Sequence, residues 1–186
     1  ILRNYLSDNA PYMLKGPLNL PDGSNVAVEE PVPMEKCGYD HFHNEKLFGG
    51  LVDGYIRVDN VRDTILEIKT SSVKEKWEDG NGGYTNVPMT YMYQASLYAE
   101  LSNLDRIVFL VGFLEEEDYD RPKQWVPNKE NTHVIVKQKL DMKPVMAKCT
   151  EWYNEYMKNG YTPEWTDSEC DQEVLKSLKA FKRKKR

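Results

Sequence analysis

The stretch Thr64-Ile-Leu-Glu-Ile-Lys-Thr-Ser71 constrains this chain more than any other. Its aliphatic and β-branched residues predict a strand, and successive side chains on a strand point to opposite faces. Leu66 and Ile68 then enter a core, while Glu67 and Lys69 share the other face. Opposite charges on an otherwise apolar strand need a reason, because burying either one unpaired costs several kcal/mol. The segment Leu47–Asp59 reads as a second strand with a glycine kink, and Asn60–Asp63 as a turn, so the two strands form a hairpin. That hairpin brings Asp53, between Gly50 and Gly54, across from Glu67. Two carboxylates held close repel one another, and a divalent cation relieves the repulsion. Hard oxygen donors in small number suit Mg²⁺, which keeps several waters.

The remaining pattern supplies a sheet and helices around this hairpin. Residues 1–25 open with a short amphipathic stretch and pass through Pro11, Gly16, Pro17, Pro21 and Gly23, which reads as loop. Strands are predicted at Asn25–Val32, Arg106–Leu114 and Thr132–Leu140. Residues 72–87, with Gly80, Gly82 and Gly83, read as a mobile loop, and Glu115–Asn131 as a charged excursion. Helical spacing of Met92, Ala95, Leu97, Tyr98 and Leu101 predicts a helix from Met89 to Ser102, opened by Pro88 and closed by Asn103. A second helix is expected over Pro144–Asn159, with a stripe of Val145, Met146, Cys149, Trp152, Tyr153 and Tyr156. Residues 172–186 read as a basic helix or tail. Strand, hairpin, helix, strand, strand and helix in that order define an α/β (α+β) domain with a central mixed β-sheet flanked by helices.

Composition excludes several classes. At 186 residues the chain fits one domain, with a core over about 25–160 and a C-terminal extension over 161–186. Apolar and charged contents of 40% and 30% are those of a folded water-soluble protein, and no apolar run approaches a membrane span. Three separated cysteines, with no C-x-x-C pair, argue for reduced thiols in an intracellular protein rather than zinc or iron–sulfur ligands. The net charge is −5, yet Asp171–Arg186 holds seven bases against two acids, so that end carries +5 and the rest −10. Local patches, not the total, decide binding. The first residue is Ile1, and an upstream helix is expected to be incomplete.

The third element of the constellation is Pro88-Met-Thr-Tyr91-Met-Tyr-Gln94. Tyr91, Gln94 and Tyr98 share one helix face, and an amide among tyrosines needs partners. Gly50-x-x-Asp53-Gly54, then Glu67-Ile-Lys69, then Pro88-x-x-Tyr91-x-x-Gln94 resembles the PD-(D/E)xK nuclease superfamily. The likeness is to its lambda exonuclease and YqaJ-like viral recombinase branch, which shares much with RecB-type nuclease domains. The resemblance covers about residues 47–112. It implies a restriction-endonuclease-like core and a metal-dependent DNA nuclease, an exonuclease acting on double-stranded ends. Asp53, Glu67 and the carbonyl of Ile68 would bind one or two Mg²⁺ or Mn²⁺ ions. Lys69 would be the catalytic lysine, and Gln94 would orient lysine, water or phosphate. Thr70, Ser71, Ser72, Lys74 and Tyr91 would touch DNA. It further implies a phage- or prophage-encoded enzyme in the bacterial cytoplasm, a single-strand annealing protein as partner, and a homo-oligomer. An inactive DNA-binding domain and an endonuclease of the same fold are the alternatives. Two features depart from the pattern: Val52 replaces the proline before the aspartate, and no upstream glutamate for a second metal is identifiable, since Glu29, Glu30, Glu35 and Glu45 lie in the wrong context.

Other residues carry weaker signals. Lys74, Lys76 and Trp77 suit a nucleic-acid end by charge and stacking, or a solvated loop. The basic C-terminal end suits phosphates or solvent. His41 and His43 are expected to be a solvated pair, His133 structural, and Trp125, Trp152 and Trp165 packing residues. Motifs of P-loop ATPases, serine hydrolases and zincins are absent.

Overall fold

A continuous apolar run over 107–111 makes the strand at 106–113 the most buried element among the described residues. In the computed structural model, which describes residues 18–59 and 61–184 (backbone only from residue 177), this strand is flanked on both sides within one sheet. The strands are β1 (Leu18–Asn19), β2 (Asn25–Glu29), β3 (Gly54–Val58), β4 (Val61–Ser71), β5 (Arg106–Phe113) and β6 (Thr132–Gln138), lying side by side in chain order. All neighbours are antiparallel except β4 and β5, which are parallel. A parallel pair needs a crossover, and helix α1 (Met89–Leu101) provides it. A short helix, α2 (Glu116–Asp120), lies in the charged excursion and is opened by a capping box between Glu115 and Asp118. The mixed α/β architecture expected from the sequence is present.

The sheet buries apolar residues on both faces. Ile65, Ile107, Phe109 and Val111 join Met92, Ala95, Tyr98 and Ala99 of α1 in one cluster. Leu66, Val108 and Leu110 join Leu18, Leu20, Val28 and Ile56 in a second cluster on the other face. Glu67, in the same pleat phase as Ile65, therefore lies on the α1 face. Helix α1 is capped at Ser102 and followed by Asn103, whose backbone is left-handed (φ 55°), a conformation asparagine tolerates.

Three expectations need correction. The strand expected over Leu47–Asp59 is confined to Gly54–Val58, because side chains of Asp40 and His41 take the backbone N–H groups of Gly50 and Val52. The loop at 72–87 is built rather than loose. Trp77 is 1% exposed and stacks on Tyr91, with ring centroids 5.6 Å apart. The Asp79 carboxylate accepts from Asn81, Gly83 and Thr85, closing the glycine-rich turn. Trp77 is thus a core residue and offers no surface for stacking on a base. Finally, β1 and α2 arise where loop was expected.

The chain divides into two compact units between Met142 and Lys143, inside the span expected to be one core. The second unit holds α3 (Lys143–Trp152), a π-helical turn at Tyr153–Met157, and α4 (Glu169–Lys184). The stripe expected over Pro144–Asn159 is not a buried one: Trp152 is 47% and Tyr153 40% exposed. The opening stretch of residues 1–17, Asn60 of the expected turn and the side chains of the basic end lie outside the described residues. No helix among the described residues is long and apolar enough to cross a membrane.

Trp77→Ala should lower stability by about 3–5 kcal/mol, the usual cost of emptying a buried tryptophan site. Urea unfolding measures it. A change within about 0.5 kcal/mol, typical of surface positions, would restore the loose-loop reading.

Candidate active site

Strand pairing sets the site. Gly54 pairs with Leu66, so Asp53, one residue before β3, stands opposite Glu67. The Asp53 carboxylate leaves the ladder and accepts the backbone N–H of Ile68 through Oδ2 at 2.8 Å. On a strand, N–H and C=O of one residue face the same neighbour. The Ile68 carbonyl therefore faces the Asp53 side, beyond the last paired residue of β3. The Ile68 side chain points to the opposite face, beside Leu114 and Trp125.

Glu67 is 1% exposed, the only carboxylate among the described residues that is fully buried. Its Oε2 accepts from Lys69 Nζ at 2.7 Å, while Oε1 is buried with no hydrogen-bond partner. Burial pushes the carboxyl up to about 7; the nearby Lys69 charge opposes this and the Asp53 charge adds to it. Lys69 Nζ also donates to Gln94 Oε1 at 3.1 Å and lies 5.2 Å from the centre of the Tyr91 ring. Gln94 Nε2 donates to the Tyr98 hydroxyl at 3.2 Å, which assigns the amide's orientation. Tyr98 stacks on Phe42 and fills the space over Gly50, where an added Cβ would stand 2.4 Å from the ring. Glycine at 50 is thus a steric requirement, joining the Asp53 segment to helix α1.

The structure brings Asp53, Glu67, Lys69 and Gln94 together, with Tyr91 as a wall behind the lysine. The other sequence candidates lie at the end of β4. Thr70 and Ser72 are exposed. The Ser71 hydroxyl is committed to its own turn, donating to the Val73 carbonyl and accepting the Val73 N–H, both at 3.1 Å. Lys74 Nζ lies 3.6 Å from Glu115 and over Phe113. Glu29 is paired with Arg57 and Arg62. Burial pushes its carboxyl up, but the hydrogen bonds from Arg62 and Arg57 outweigh this and hold it below the ordinary value. It is not free to serve as an upstream ligand.

The donor set fits a small hard cation. Glu67 Oε1 lacks a partner, Asp53 is opposite Glu67, and the Ile68 carbonyl faces the Asp53 side. Two carboxylates and a carbonyl leave room for water and phosphate in a Mg²⁺ shell. Among the described residues no three His, Cys, Asp or Glu side chains come together as a metal-holding group. Sequence reasoning missed Asp40 and His41, which hold the backbone behind Asp53. Nothing in their spacing marks them, because their partners are main-chain groups ten and eleven residues away.

No family model matches the chain. It is similar to the uncharacterized protein MG373 of Mycoplasma genitalium, 27% identical over 192 aligned positions covering 82% of this chain and 66% of that protein. It is also similar to the MG373 homolog of Mycoplasma pneumoniae, 31% identical over 84 positions covering 44% of this chain and 30% of that one. Among solved structures it is similar to the crystal structure of an alkaline exonuclease, LHK-Exo, from Laribacter hongkongensis. That likeness has a TM-score of 0.46 and 14% identity, covering 87% of this chain and 65% of the other. The chain spans a little under two thirds of the length of the first curated relative.

A carboxyl raised from 4.5 to about 7 binds its proton more tightly in the folded state. The associated stability is fully present below pH 4.5 and is lost as pH rises through 7. In metal-free buffer, wild type should therefore lose stability relative to Glu67→Gln between pH 5 and pH 8, by at most about 3 kcal/mol. Urea unfolding of both across that range checks it. A constant difference would show that Glu67 does not titrate there.

Proposed function

We propose that the chain is a divalent-metal-dependent deoxyribonuclease that hydrolyses phosphodiester bonds. What carries this reading is Glu67: a buried carboxylate whose Oε1 has no partner, opposite Asp53 and bonded through Oε2 to Lys69. For stability alone an apolar residue would serve better at this position, as it does at Val111 and Phe109 on the same face.

Asp53, Glu67 and the Ile68 carbonyl would hold Mg²⁺ or Mn²⁺. Bound there, such an ion lowers the pKa of a coordinated water and offsets charge on a phosphate oxygen. Lys69 does the rest from a fixed position. Two of its three N–H groups are spent on Glu67 and Gln94, and the third is left to hold the attacking water or a non-bridging phosphate oxygen. Gln94 keeps the ammonium in place, and its own amide is fixed by Tyr98. Thr70, Ser72, Lys74 and Tyr91 are the DNA contacts in this reading, with the Ser71 hydroxyl shaping the turn that presents them. The donors described suffice for one ion. Action at double-stranded ends, beside an annealing protein in phage-type recombination, rests on the motif resemblance.

Incubation with linear and closed circular duplex DNA in Mg²⁺ tests the reading. Linear DNA should be degraded, and Lys69→Ala should lower the rate by about 10²-fold or more while the protein stays folded by circular dichroism. Cleavage of closed circles would make it an endonuclease. Absence of cleavage with either Mg²⁺ or Mn²⁺ would overturn the assignment.

A further inference from the structure

Asp53 is carried by a segment that forms no ladder, yet its carboxylate must be aimed. The residues that fix this segment lie immediately upstream in sequence. Asp40 Oδ1 accepts the N–H groups of Gly50 at 2.9 Å and Phe42 at 3.0 Å. The His41 backbone N–H donates to the Gly50 carbonyl at 2.9 Å. The His41 ring then spans two further main-chain groups. Nδ1 meets the Val52 N–H at 3.0 Å, and Nε2 meets the Val32 carbonyl at 2.7 Å. An amide N–H only donates and a carbonyl only accepts. Nδ1 must therefore be bare and Nε2 must carry the proton, so these two contacts select one neutral tautomer.

We infer that His41 is a positioning residue for Asp53, a rigid strut between Val32, in the irregular stretch after β2, and the peptide that leads into the candidate metal ligand. This rests on the metal-dependent reading above. No other side chain presents a bare nitrogen and an N–H at opposite ends of a planar ring short enough for this gap. His41 and β4 hold neighbouring residues: the ring takes the Val52 N–H, and the Ile68 N–H of β4 holds the Asp53 carboxylate. Removing the ring takes away the only side-chain bond described to Val52, the residue next to Asp53, while the Gly50 contacts with Asp40 and the His41 main chain remain.

Two readouts, one independent of metal, test it. In wild type, ¹⁵N NMR at pH 8 should show the His41 ring neutral with its proton on Nε2. His41→Ala should speed hydrogen exchange at the Ile68 amide, whose acceptor is Asp53, with no change at β5 amides. It should also weaken Mn²⁺ binding by about 10-fold or more, the usual range for groups that orient metal ligands. His41→Asn, whose Oδ1 stands in for Nδ1 at the Val52 N–H but leaves the Val32 carbonyl unpaired, should recover only part of both; it also serves if the alanine variant fails to fold. A ring protonated on Nδ1, or His41→Ala with wild-type exchange at Ile68 and wild-type Mn²⁺ affinity, would overturn the inference. Wild type that binds no Mn²⁺ would defeat the metal-dependent reading instead, while the exchange readout still decides the role of His41.

Discussion

The structure around the candidate site depends on one unfavourable fact: a carboxylate at position 67 is enclosed between the sheet and helix α1 with one oxygen unpartnered. Such a group costs several kcal/mol unless it is protonated, paired or bound to a cation. Each neighbour answers part of that cost. Lys69 pairs with Oε2, and the proton is held up to about neutral pH. Oε1 is left over. Buried polar atoms with no partner are uncommon in folded proteins, and where they occur they mark strain or function.

From Glu67 a line of polar and steric contacts runs outward and ties separate elements together. Lys69 reaches Gln94, Gln94 reaches the Tyr98 hydroxyl, and the Tyr98 ring lies where a side chain at Gly50 would be. This links β4, helix α1 and the segment carrying Asp53 through side chains of three residues and the absence of a fourth. The position of the helix over the sheet and the position of Asp53 beside Glu67 are therefore not independent. On the other side of the lysine, Tyr91 is backed by the buried Trp77, so the 72–87 loop also stiffens the site.

How much of this is legible in sequence follows from the range of the interaction. Glu67 and Lys69 are two apart on a strand and Gln94 and Tyr98 four apart on a helix, so local periodicity alone puts each pair on one face. Asp53 opposite Glu67 needs only a hairpin. Trp77 is misread because glycines and charges around it resemble a loose loop, while the groove between α1 and the sheet that buries it exists only after folding. His41 is misread for a related reason. Its partners are main-chain atoms of Val32 and Val52, which no residue type advertises. The overlong strand at 47–59 is the same error: alternation there is real, but side chains of Asp40 and His41 occupy N–H groups that a ladder would use.

Charge then orders the events in the proposed reaction. With Asp53 and Glu67 ionised and Lys69 protonated, the three groups sum to one negative charge, which disfavours an approaching phosphate. A bound divalent cation reverses the sign to one positive charge. In the proposed reaction a site of this composition would take its cation first and its anionic substrate second, because each step would be attractive only in that order. The same reasoning removes the objection raised by a chain of net charge −5. An acidic protein is a poor nucleic-acid binder only if its charge is uniform, and a site that must hold a cation has to be acidic until the cation arrives. Outside it, the groups nearest the end of β4 are the neutral hydroxyls of Thr70 and Ser72 and the half-buried Lys74, whose partner Glu115 is exposed and 3.6 Å away. An exposed pair at that distance is weak, so in the proposed reaction Lys74 would leave Glu115 for a phosphate at little cost.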